Sequence, residues 1–143
     1  MKKLFSLPIV KRKTVCGLLG IGFGFLCAYF ASKDPSIGPD FWGSALMWNI
    51  VFNRLLIGIF VLIMGVYTMH PVFKFKLCPA FRGFFMGAFV SLGLAIGVLI
   101  VPSPEGCKIF WMTIISGGIY GLIIDVVATK IAGDGKKLLD KLY

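Results

Sequence analysis

Four apolar stretches, Thr14 to Ser32, Gly43 to Thr68, Ala80 to Val101 and Ile109 to Ile131, occupy most of this chain of 143 residues. Each is about as long as the roughly 20 residues a helix needs to cross a bilayer core. Mean hydropathy is +0.92 and 58 % of the residues are hydrophobic, which leaves little to make a water-soluble domain. Inside hydrocarbon each backbone N–H and C=O must be satisfied by the protein, and a helix does this within every span. The expected fold is an all-α membrane protein: a four-transmembrane-helix bundle forming one domain over residues 1–143, with a basic tail over 132–143.

A net charge of +9 on a soluble fold would point to nucleic acid. Its distribution here argues for a bilayer and against nucleic acid. Lys2, Lys3, Lys11, Arg12 and Lys13 precede the first span. Lys74, Lys76 and Arg82 lie between the second and third spans or near their ends, and Lys130, Lys136, Lys137 and Lys141 lie at or after the end of the fourth. Only Lys33 and Lys108 flank the other two loops, and Arg54 falls inside a span. By the positive-inside rule both termini face the cytoplasm, and an even number of spans also requires the termini to share a side. The expectation is a multi-pass protein of the cell membrane. Thr14 to Ser32 exceeds the roughly 7–15 apolar residues of a cleavable signal and lacks a small-x-small site, so it reads as a retained span. Trp42, Trp48, Trp111, Tyr29 and Tyr67 fall near span ends, where interfacial aromatics belong. In size and layout the chain resembles small bacterial inner-membrane proteins as a class, a likeness that transfers no site.

Sliding the chain against itself by 63 residues superposes Pro8 on Pro71, Lys11 on Lys74, Lys13 on Lys76, Gly20 on Gly83 and Gly24 on Gly87. The same offset superposes Ile37 on Ile100, Pro39 on Pro102, Gly43 on Gly106, Trp48 on Trp111 and Gly58 on Gly121. A tandem duplicated helical hairpin would give a parallel repeat with its axis along the membrane normal. The competing account is that any two membrane hairpins share basic flanks and Pro/Gly turns. In the third and fourth spans Gly83/Gly87, Gly93/Gly97 and Gly117/Gly121 each form a GxxxG step, and the first span carries Gly17, Gly20 and Gly24. Such glycines allow close backbone approach, which membrane helices need because the hydrophobic effect does not drive them together. Packing within the monomer is the expected use of these glycines, a homo-oligomer seam being the alternative.

Arg54 is the main functional candidate. A charge near mid-span costs about 2.5–3.5 kcal/mol on insertion scales, so it should face the bundle interior. Asn49 and Asn53, four residues apart, share a face next to it, and an Arg fork suits planar anions. Arg54, Asn49 and Asn53 are the expected substrate-binding residues; the alternative is a structural Arg bonded to carbonyls of a neighbouring helix. Under the 63-residue register Asp125 lies about 12 Å below Arg54, too far to pair, whereas Arg82 and Asp125 differ by only about 4–5 Å in height. Arg82–Asp125 is therefore the expected structural ion pair. Gly117 and Gly118, opposite Arg54, would leave room for its guanidinium.

Cys16, Cys27, Cys78 and Cys107 form no C-x-x-C or His/Cys cluster and read as free thiols, a Cys27–Cys107 disulfide being the alternative. His70 reads as an interfacial residue. No catalytic motif, metal set or cofactor signature is present, so the chain is not expected to be an enzyme. The tail from Asp134 to Tyr143 can form a basic amphipathic helix on the anionic inner surface. Two functions remain open: binding or transport of a small polar or anionic solute near mid-membrane by a homodimer or other oligomer, or a non-catalytic subunit or assembly factor docking a larger membrane partner.

Overall fold

The computed structural model describes residues 7–34, 37–69, 77–100, 104–135 and 138. Its elements are α1 (Pro8–Ala31), a 3-10 turn (Pro39–Phe41), α2 (Ala45–Met64), α3 (Pro79–Ile100) and α4 (Gly106–Ala132). All four α-helices are long and apolar enough to cross a membrane. The chain is thus a helical, multi-pass membrane protein.

Local chemistry explains the boundaries. Pro8 and Pro79 open α1 and α3, where a missing N–H costs nothing and a fixed φ suits the first turn. Helix α1 consequently starts six residues before the apolar stretch and includes Lys11, Arg12 and Lys13. Ser44 caps α2, its hydroxyl accepting from the Met47 N–H at 3.2 Å. Helix α2 ends at Met64, four residues short of the apolar limit at Thr68. After α4, Gly133 takes φ of 80° and breaks the helix.

Successive helices run antiparallel. The start of α1, the end of α2, the start of α3 and the end of α4 share one end of the bundle, here the termini end. The other is the loop end. The α1–α2 and α3–α4 hairpins pack most extensively; α1–α4 and α2–α3 close the ring, and α2 also meets α4 across it.

Glycines set the closest crossings. A Cβ on Gly83 or Gly87 would strike the carbonyl oxygen of Gly121 or Gly117, and one on Gly121 would strike that of Gly83. The Gly83/Gly87 and Gly117/Gly121 steps therefore face each other between α3 and α4. In the first hairpin, Gly58 sits on the Cys16 carbonyl, and Gly20 lies against the Arg54 carbonyl with 3.1 Å to a notional Cβ. The remaining step of α3 behaves differently: nothing lies within 4 Å of a Cβ built on Gly93 or Gly97.

The apolar core is split by level. Towards the termini end, Cys16, Ile57, Val61, Ile124 and Ala128 pack with Met86 and Val90, so all four helices contribute. Towards the loop end, Ala28, Phe41, Met47 and Val51 form a cluster drawn from the first hairpin alone. The termini-end cluster thus joins the two hairpins, while the loop-end cluster belongs to the first.

Candidate functional site

Two polar centres lie inside the bundle, and each ties all four helices together. The first is Arg54, on α2 and 3 % exposed. Its Nε donates to Cys27 Sγ on α1 at 3.4 Å. Nη1 donates to Asn53 Oδ1 at 3.1 Å and to Ser91 Oγ on α3 at 2.8 Å, and Nη2 donates to Ser116 Oγ on α4 at 3.1 Å. The guanidinium carbon lies 5.3 Å from the centre of the Tyr120 ring, which stacks on Phe23 with centroids 4.7 Å apart. Four of the five guanidinium N–H groups are engaged. Every one of these partners is neutral.

Asn53 is 7 % exposed and bridges outward, its Nδ2 donating to the Val90 carbonyl at 3.2 Å. Asn49, one turn nearer the loop end, is exposed and stands apart from the Arg54 cluster. A shared helical face did not bring the two amides to one site: Asn53 is buried and Asn49 is exposed. Gly117 and Gly118 also differ from expectation. The missing Cβ of Gly117 makes room for Ser91 and that of Gly118 for the Phe84 ring, so Gly117 serves Arg54 only through Ser91.

The second centre is Asp125, fully buried on α4. Arg82 grips it by a fork: Nε donates to Oδ2 at 2.7 Å and Nη2 to Oδ1 at 2.9 Å. Arg12 also donates to Oδ1, through Nη2, and Thr129 does so at 3.3 Å. Other N–H groups of the two guanidiniums reach the Thr129 hydroxyl and carbonyls at or just beyond helix ends, while Arg12 Nε is buried without a partner among the described residues. Arg12 reaches Val61 O at 3.3 Å and Gly133 O at 3.0 Å, and Arg82 reaches Tyr67 O at 2.8 Å. Arg12 lies flat against Gly65, where any Cβ would overlap its guanidinium. Arg54 has no share in Asp125.

Sequence reasoning counted Arg12 as one more basic flank residue and so missed it. A signal existed: Arg12, Cys16, Gly20, Gly24 and Ala28 are all buried and repeat every four residues, placing Arg12 on the inward stripe of α1. All four cysteines are free; Cys27 faces Arg54 and Tyr120 while Cys107 is exposed. His70 and most of the basic tail lie outside the described residues. Among the described residues no group of His, Cys, Asp and Glu is placed to hold a metal.

No protein-family model, curated protein or solved structure matches the chain. Its class, a four-helix multi-pass membrane protein with two buried arginine centres, rests on the geometry alone.

Proposed function

We propose that this protein binds a small polar or anionic solute at Arg54, near mid-membrane, as a step in its transport. The carrying observation is a guanidinium 3 % exposed whose described partners are a thiol, an amide, two hydroxyls and a ring face. An ion this far from water is expensive without an opposite charge. A structural role would be served as well by neutral side chains without that cost. The protein lies in the cell membrane with both termini in the cytoplasm, the side on which twelve of its fifteen basic residues cluster. It descends from a duplicated hairpin and works as a homodimer. The glycines 63 residues apart, Gly20/Gly83, Gly24/Gly87 and Gly58/Gly121, lie at crossings in both hairpins and support the duplication, with registers that have drifted by about one turn.

Thermal unfolding of the purified protein in mild detergent tests the site. Small anions and neutral polar solutes are added in turn to the unmodified chain and to Arg54→Gln. A stabilising solute whose effect disappears in Arg54→Gln supports the reading; an equal effect in both overturns it.

A further inference from the structure

We infer that the Arg54 site takes a singly charged anion, which reaches it from the loop end through an opening between α2 and α3. This rests on the reading of Arg54 as a solute site and adds the class of solute and its route.

The class follows from charge. Two guanidiniums share Asp125 at the termini end, and Arg54 adds one further positive charge surrounded by neutral groups. One negative charge brings the Arg54 cluster to neutrality. A dianion would bury an excess negative charge among Ser91, Ser116 and Asn53, and a neutral solute would leave the cation uncompensated.

The route follows from packing. Below Arg54, Ile57 and Ile124 are fully buried, and beyond them the Arg12–Asp125–Arg82 network closes the termini end. Above Arg54 we place the entry beside the bare glycines of α3. Met86, Val90, Gly93 and Gly97 lie on one stripe of α3 by helical spacing. Met86 and Val90 pack against the core, whereas Cβ atoms on Gly93 and Gly97 would meet nothing. On α2, Asn49 is exposed. Asn53 forms the floor, holding Val90 with its amide N–H and Arg54 Nη1 with its oxygen. An incoming anion takes the place of that oxygen on Nη1.

The discriminating variant is Asn53→Asp, which sets a carboxylate beside Arg54 and supplies the missing charge from within; Ser116→Asp does the same from α4. All proteins carry serine at Cys78 and Cys107, the exposed thiols. Thermal unfolding is followed with chloride, nitrate, formate, sulfate and glycerol at matched ionic strength. We expect a monovalent anion to raise the unfolding temperature of the parent and to lose that effect in either Asp variant. A bulky maleimide on Gly93→Cys should also abolish the effect, while the same reagent leaves the parent's response intact. A larger effect of sulfate, an effect of glycerol alone, or a full response in a folded Asp variant would overturn the charge class while leaving Arg54 a solute site. An unchanged response after modification of Gly93→Cys would overturn the route. A response that survives in Arg54→Gln would remove the underlying reading itself.

Discussion

Arg12 and Asp125, separated by 113 residues in the chain, form a fully buried ion pair that joins the first helix to the last. Arg82 holds the same carboxylate from the third helix. Carbonyls of Val61 and Tyr67, within and just after the second, take further N–H groups. One acidic side chain thus organises the whole termini end of the bundle.

Removal of Asp125 should be the most destabilising single change in this end of the protein. Asp125→Ala leaves two buried guanidiniums without a counter-charge, and breaking a buried pair from one side costs about 3–5 kcal/mol. Denaturant or thermal unfolding in detergent measures it, with Asp125→Asn as the near-isosteric control. A loss below about 1 kcal/mol, the range of exposed pairs, would show that the network is not holding the helices.

Arg12 should not tolerate lysine. Its two terminal nitrogens serve Thr129, Gly133, Val61 and Asp125 together, a pattern that needs a planar fork. Arg12→Lys is expected to lower the unfolding temperature clearly. Lys11→Arg and Lys13→Arg, both at exposed positions, should leave it unchanged. Equal behaviour of the three would contradict the burial of Arg12.

Gly65→Ala should reproduce part of the Arg12 defect without touching a charge. The added methyl occupies the place of the Arg12 guanidinium, so the side chain must leave Asp125 or the end of α2 must shift. A double-mutant cycle with Arg12→Gln checks this. The two changes should be strongly non-additive, as expected for residues in contact, and simple addition would argue against the packing.

The GxxxG steps of α3 and α4 should separate cleanly. Gly87→Ala and Gly121→Ala force backbone apart between α3 and α4, where membrane helices rely on van der Waals contact. Both should lower stability, whereas Gly93→Ala and Gly97→Ala, facing open space, should not. A marked loss in the last two, accompanied by a fall in measured mass, would instead mark that stripe as a contact between copies.

Four spans were legible in the order of residues because hydropathy over about 20 residues is a local property, set by bilayer thickness. Arg54 was equally legible, since a charge within an apolar run stands out without any knowledge of its neighbours. Helix ends were less so. The basic run Lys11, Arg12 and Lys13 breaks the apolar signal although Pro8 starts the helix, and α2 stops at Met64 within an apolar run.

Only the tertiary structure decided which polar groups meet. Asn49 and Asn53 look equivalent on one helical face, yet Asn49 is exposed and Asn53 is buried against the Val90 carbonyl. Arg12 reads as one of three consecutive cations, yet it alone points inward to Asp125. The partners of Arg54 come from positions 27, 53, 91 and 116, on all four helices. Periodicity tells which face of a helix is polar. It carries no information about which helix faces it, at what height, or whether the seam between them is shut, since those depend on how the glycine crossings let four backbones approach.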